Sequence, residues 1–362
     1  MNRRQFLIAG GTFMSAALTY GRAFGQERFI TGQAPWRKFD IVTRIAFGPT
    51  VGRLQAWVPV PSVNNEDWSK ALGSDWKTNA KTAQLEKDRS SGAEFVRFEW
   101  PAGEAAPVAE VSSHAETRDR LTDFTKPQKT EPLTDGEKRY YTTPTALVPH
   151  TDELGQLAAK IVENAKTDLG KAKAIYEWIV EERSCGLASP GSLLTPPRIG
   201  DASWPNCSAL NCLYAGLARI SGLPVREIYG YRIAPSQFGY QSLGAFPGDI
   251  TARVHIRAEV WLDDYGWVPV DPGDVRRVLS DEPPGNLQLT DPKAVAARVT
   301  LFGGWEGNWV PYNMAHDLVL PSSEGLGVPF LVWPIVRVDG KGVLDPESGA
   351  FSYKVRAKEL PA

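Results

Sequence analysis

Residues 204–226 read WPNCSALNCLYAGLARISGLPVR, and the reading of this stretch decides the fold. Asn206 is a favourable helix cap, because its side-chain oxygen can accept from N–H groups that a first helical turn leaves unpaired. Gly222 followed by Leu223 and Pro224 is a stop signal. Between them Leu210, Leu213, Tyr214 and Leu217 recur at helical spacing and predict a buried stripe. Cys207 then falls in the first turn, where the helix dipole and free N–H groups stabilise a thiolate. Cys212 lies about 140° further round at 3.6 residues per turn. The two thiols therefore face apart, which argues against one disulfide and against joint metal ligation. Cys212 reads as packing and Cys207 as the reactive position.

A thiolate nucleophile needs a base, and the base needs an orienting group. The chain has four histidines. His114 lies in a polar β segment, His150 in a linker and His316 in a C-terminal β region. His255 opens HIRAEVWL (255–262), where Ile256, Ala258, Val260 and Leu262 point one way and His255, Arg257 and Glu259 the other. DDYG (263–266) makes a turn and WVPVDP (267–272) returns beside it. Asp271 then lands near His255, directly opposite or diagonal according to loop length. Arg257 and Glu259, on the His face, read as an ion pair at a cleft or as solvated charges.

The periodicity divides the rest of the chain. FDIVTRIAF (39–47) and LQAWVPVP (54–61) flank GPTVGR and suggest a hairpin. EFVRFEW (94–100) and VAEVSSHAETR (108–118) alternate likewise, with a polar, loop-like segment between. Residues 34–125 thus predict an antiparallel β domain, followed by a polar linker over about 122–145. DELGQLAAKIVENAKT (152–167) and LGKAKAIYEWIVEERS (169–184) repeat at helical spacing. VREIYGYRI (225–233) and the His255 hairpin are strand-like, so residues 145–280 form an α+β core without βαβ alternation. Residues 281–362 return to β in HDLVLP, FLVWPIVRV and FSYKVRAKEL, and are expected to pack back on the earlier domains.

Taken in order, NCSALNCLYAGLARISGLPVREIYGY (206–231) and HIRAEVWLDDYGWVPVDP (255–272) resemble the transglutaminase-like, papain-related cysteine enzymes. Three features align over roughly residues 150–275. A Cys stands fifteen residues before Gly-Leu-Pro-Val-Arg, a His opens an alternating strand with Glu-Val, and Gly-Trp-Val-x-x-Asp-Pro follows. The resemblance implies a papain-like core of helices on an antiparallel sheet. It also implies Cys207 as nucleophile, His255 as general base and acid, and Asp271 as orienter. Two positions depart from the family pattern and bear on substrate choice and rate: Ala209 where an acidic residue is frequent, and Arg257 where an aromatic one is. The flanking β regions resemble those of exported bacterial members. What is implied is acyl transfer from an amide carbonyl through a thioester, ending in hydrolysis or cross-linking. The alternative is a catalytically silent envelope-binding or scaffold module on the same core. Trp204 and Asn206 are candidate oxyanion or cleft residues.

The first stretch, MNRRQFLIAGGTFMSAALTYGRAFGQ, starts basic, continues apolar and ends on small residues. Residues 1–25 read as a removable twin-arginine export signal, which places the mature protein in the periplasm or outside the cell. Removing its three arginines takes the formal net charge from −2 to about −5. A mildly acidic chain without a basic block is a poor nucleic-acid or anionic-membrane binder. No other segment has transmembrane length. The expected partner is a protein or peptide substrate, with the cell envelope as one source. No cofactor motif is found. A zinc site from Cys185, Cys207 and His255 has suitable ligand types but no ligand spacing to support it. Cys185 could pair with Cys212 in an oxidising compartment, which sequence alone leaves open.

Overall fold

The computed structural model describes residues 28–361, apart from 33, 50–51, 129, 187, 189, 195–200, 205, 344–347 and 350. The expected export signal lies outside the described residues. Strands β1 (Arg37–Ala46), β2 (Leu54–Val60), β3 (Ser69–Thr78), β4 (Thr82–Lys87), β5 (Glu94–Trp100), β6 (Val108–Thr117) and β7 (Arg120–Leu121) come first. Helices α1 (Asp135–Thr142), α2 (Asp152–Val162) and α3 (Asp168–Glu182) follow. Two short strands, β8 (Ser184–Cys185) and β9 (Ser203–Trp204), precede α4 (Cys207–Ile220). Then come β10 (Val225–Arg232), β11 (Gly248–Asp249), β12 (Val254–Leu262), β13 (Gly266–Val270), α5 (Pro272–Asp281) and α6 (Pro292–Thr300). The chain closes with β14 (Gly304–Trp305), β15 (Trp309–Asn313), β16 (His316–Val319), β17 (Gly327–Phe330), β18 (Ile335–Val338), β19 (Lys341–Val343) and β20 (Ser352–Leu360).

These elements make a mixed α+β fold: a core of helices on an antiparallel sheet, with β-rich flanks. Two five-stranded sheets, ordered β11-β20-β1-β6-β3 and β19-β18-β2-β5-β4, make up the flanks. The expected β1–β2 hairpin does not form, because the two strands enter different sheets. Ile45 of β1 and Leu54, Ala56, Val58 and Val60 of β2 meet in one apolar cluster with Val96, Phe98 and Val111. Crossing between sheets lets these side chains face one another, which a hairpin within one sheet would not. β5 and β6 separate in the same way. β3 and β4 lie at sheet edges and are largely half-exposed, so they lack the apolar alternation that reveals a strand. The C-terminal strands return to the N-terminal ones: β18 pairs with β2, and β20 with β1 from Lys38 to Ala46.

The stretch expected to be a linker contains α1. This helix buries no residue, and a capping box between Thr134 and Glu137 holds its first turn. The core centres on α4, in which every residue from Cys207 to Arg219 is buried. It packs against α2, α3, α5 and β12. The sheet behind it runs β13-β12-β10-β15, all antiparallel. Among the described residues, no helix is long and apolar enough to cross a membrane.

Candidate active site

Helix α4 begins where the sequence says it should. Asn206 is in extended conformation and its side-chain oxygen accepts from the Ser208 N–H at 2.9 Å, which leaves Cys207 as the first helical residue. The β12–β13 hairpin pairs Ala258 with Val270, so Asp271 sits diagonal to His255. Asp271 also caps α5, its Oδ1 accepting from the Asp274 N–H at 3.0 Å. One carboxylate therefore ends a strand, starts a helix and reaches the histidine. His255 Nε2 lies 2.8 Å from Asp271 Oδ2, and both side chains are fully buried.

Burial holds the His255 imidazole well below its ordinary range; Arg232, Arg257 and Arg277 add to the effect and Asp274 opposes it. The ring is therefore neutral at neutral pH. With its Nε2–H donated to Asp271, the hydrogen-bond network makes Nδ1 an acceptor. Nδ1 receives the Ser208 hydroxyl at 2.8 Å. The basic nitrogen of His255 thus faces the first turn of α4, one residue beyond Cys207.

Cys207 itself is bonded to Cys185 in a disulfide with a Cα–Cα distance of 4.9 Å. The pairing left open between Cys185 and Cys212 is not formed. Cys212 is free and buried, its thiol pushed well above the ordinary range by desolvation. Helical geometry separates Cys207 from Cys212, while Cys185, just past α3, lies in β8. There Cys185 runs parallel to Trp204 of β9, next to the start of α4. With both thiols so joined, the zinc set of Cys185, Cys207 and His255 is not available in this state. Trp204 and Asn206 line the same corner, but the Trp204 indole N–H donates to the Asp201 carbonyl at 3.1 Å. The Asn206 amide donates to that of Ala188, also at 3.1 Å.

Several site neighbours escaped the sequence reading. Asn211 donates to the Ile256 carbonyl and to Asp271 Oδ1, both at 2.7 Å, and accepts from the Gly273 N–H at 2.9 Å. It ties α4 to both the strand and the helix that carry the His–Asp pair. The signal was present: Cys207, Ser208 and Asn211 form a polar stripe, at spacings of one, three and four, at the start of a buried helix whose first charged residue is Arg219 near its end. Gly273 permits the close approach, since a Cβ there would lie 2.3 Å from the Cys207 carbonyl oxygen.

Arg257 and Glu259 are neither paired with each other nor solvated, because both lie inside the molecule. Glu259 is clamped by Arg120 and Arg226. Arg257 approaches Asp271 at 3.4 Å, donates to the Glu306 carbonyl at 3.1 Å and stacks over Trp305 and Trp309. Burial lowers it to about 10, with Asp271 and Asp274 opposing, so it remains a cation at neutral pH. Asp274 is paired with Arg232. His255, Asp271 and Asp274 offer ligand atoms within 4.8 Å of one another. A metal ion there would have to displace or repel two guanidinium groups, so the donor set suits a histidine–carboxylate pair better than a cation.

Residues 155–272 match the family model of the transglutaminase-like superfamily. An uncharacterised protein of Haemophilus influenzae is 28% identical over 340 residues, covering 85% of this chain and 87% of its own. A crystal structure of a candidate cysteine protease from Cytophaga hutchinsonii superposes with a TM-score of 0.56 at 15% identity, over 91% of this chain and 93% of that one. At that identity the likeness is one of fold. The periplasmic domain of TgpA from Pseudomonas aeruginosa aligns over 75% of this chain and 99% of its own, also at 15% identity, with a TM-score of only 0.32. The segment that carries α4 and the His255 hairpin is thus similar to the transglutaminase-like superfamily, whose family model it matches.

Proposed function

We propose that the protein is an exported cysteine-dependent acyl-transfer enzyme that uses Cys207, His255 and Asp271 on an amide carbonyl. The observation that carries the reading is the 2.8 Å His255–Asp271 pair, whose outer imidazole nitrogen is turned toward the first turn of α4. In the reduced protein His255 takes the Cys207 proton, and Asp271 stabilises the imidazolium that forms. The thiolate attacks the amide carbon, of a Gln side chain or a peptide bond. Backbone N–H groups at the α4 N-terminus offset the oxyanion charge, and His255 then protonates the leaving nitrogen. A thioester on Cys207 remains for water to hydrolyse.

Hydrolysis is favoured over amine transfer because an open cleft of about 610 Å³ adjoins the Cys185 side of the disulfide, and its described lining carries the Arg276 cation and no carboxylate to hold an amine. The leader read from the sequence supports export to the periplasm or beyond, where proteins and peptides of the envelope are the expected substrates.

A second reading has its own support. Cys207 and His255 are both 0% exposed and Cys207 is oxidised, as a silent binding module would allow. Incubation of the reduced protein with Gln-containing peptides and denatured protein separates the two. The proposal expects ammonia or new peptide termini, without incorporation of an added primary amine. Cys207→Ala is expected to abolish this turnover, whereas Ser208→Ala, which removes only the hydroxyl on Nδ1, should retain at least about a tenth of it. Loss in Ser208→Ala with retention in Cys207→Ala would reassign the nucleophile. No turnover of either substrate would favour the binding module.

A further inference from the structure

The chemistry proposed above needs a free Cys207 thiolate, yet the chain binds that sulfur to Cys185. We infer that the Cys185–Cys207 disulfide is a reversible lock on the nucleophile, opened by thiol–disulfide exchange at Cys185 with a cysteine-bearing peptide or dithiol protein in the adjoining cleft. The inference rests on the reading of Cys207 as nucleophile, but the lock itself can be measured without any amide reaction.

Three features make the two sulfurs unequal. Cys207 is completely buried, whereas Cys185 is half-buried. The cleft is lined by Cys185 together with Ser184, Arg276, Leu279, Leu287 and Leu289, and Cys207 is not part of its wall. An incoming thiolate, drawn by the Arg276 cation and accommodated by the leucines, therefore meets Cys185 first. The leaving group is the third feature. Exchange is faster when the departing thiolate is stabilised, and Cys207 departs at the first turn of α4, where the helix dipole favours the anion.

Exchange balances in two steps. The incoming thiolate bonds to the Cys185 sulfur, the Cys185–Cys207 bond breaks, and its electron pair leaves on Cys207. A second thiolate of the dithiol reductant then attacks the mixed disulfide. That step frees Cys185 as a thiolate and leaves the reductant oxidised, two electrons having passed to the protein. Nucleophile release is the first step, so a single thiol is enough to unlock the site. Re-closure is built into the backbone. The Ser184 N–H donates to the Ala202 carbonyl at 2.9 Å and the Gly186 N–H to that of Trp204 at 2.8 Å. These bonds hold Cys185 beside the α4 N-terminus whether or not the sulfurs are joined. Cys212 takes no part, since its sulfur is buried on another side of the helix.

The test uses the full mature chain, isolated without reductant, with free thiols blocked at the start and peptides read by mass spectrometry. Before reduction a Cys185–Cys207 cross-linked peptide is expected, with Cys212 as a free thiol. Brief exposure to reduced glutathione, then an alkylating quench, should place the glutathione adduct on Cys185 at least about tenfold over Cys207, with Cys207 recovered alkylated. Cys185→Ala should leave Cys207 a free thiol, alkylated in a denaturing quench without any reductant, and Cys212→Ala should keep the cross-link. Free Cys185 and Cys207 thiols in the untreated protein, or adducts mainly on Cys207, would overturn the lock. Amide turnover is read separately. If exchange follows this course but the reduced protein turns over no amide, the lock stands and the enzyme reading falls. If the untreated wild type, with its cross-link intact, turns over amide as fast as Cys185→Ala, the disulfide does not restrain the nucleophile and the lock falls.

Discussion

Asp271 holds one nitrogen of His255 and Ser208 the other, so the ring is fixed in position and tautomer before any substrate arrives. Asp271→Asn keeps the shape but can present an N–H to Nε2, which favours the wrong tautomer. Turnover in the reduced protein is expected to fall about 10³–10⁴-fold with little change in KM, by analogy with serine triads; a loss below tenfold would remove Asp271 from the mechanism. The same ring makes a prediction about pH. Its folded pKa is depressed below the unfolded value of about 6.5, so the unfolded chain binds a proton that the folded chain refuses. The stability linked to His255 is therefore complete above about pH 6.5 and is lost as pH falls from there toward the folded pKa. Thermal melts of wild type and His255→Asn from pH 8 to 4 should show wild type losing more stability on acidification. Parallel curves would mean that the imidazole is not buried neutral.

At the level of elements, the site depends on how closely α5 approaches α4. Gly273 makes that approach possible, and Asn211 bridges the two helices and β12. Gly273→Ala places a methyl group against the Cys207 carbonyl, where backbone rather than a flexible side chain must move. A loss of about 1–3 kcal/mol in denaturant unfolding is expected, together with a disproportionate fall in kcat as Asp271 shifts from His255. Unchanged stability would show that the helices have room to separate. Gly230 has a similar role on the far side of the sheet. It pairs with His255, and a Cβ there would lie 2.8 Å from the Trp309 ring, whose indole N–H donates to the His255 carbonyl at 3.1 Å. Helices α2, α3 and α4 and the His255 hairpin were legible because each has a local signature: caps, a Gly-Leu-Pro stop, or strict alternation. α5 was not read, and α6 falls within residues 281–362, expected to be β, because both are short helices begun by a proline and packed on the core rather than marked by a long apolar stripe. α1 was missed because its capping box makes a helix with no buried face. β3 and β4 were missed because edge strands need no apolar pattern.

Across the whole molecule, the last strand closes the first sheet. β20 lies between β11 and β1, and pairs with β1 along nine residues. Truncation before Ser352 would leave β1 with an unpaired edge along nine residues. Such a chain is expected to aggregate or to lose cooperative unfolding, whereas a soluble monomer with a wild-type melt would show that β20 is dispensable. The sequence by itself determined the α+β core, the start of α4 on Cys207, and the adjacency of His255 and Asp271. These follow from hydrogen-bond periodicity and from a turn only a few residues long, so the information is local. Tertiary structure alone decided that β1 and β2 part into two sheets and that Ser208 takes the second nitrogen of His255. It alone also brought Cys185 to Cys207 across a separation of 22 residues. Those outcomes depend on which buried surfaces meet and which charges need partners in a dry interior. Such contacts join distant parts of the chain and leave no spacing in the sequence to announce them.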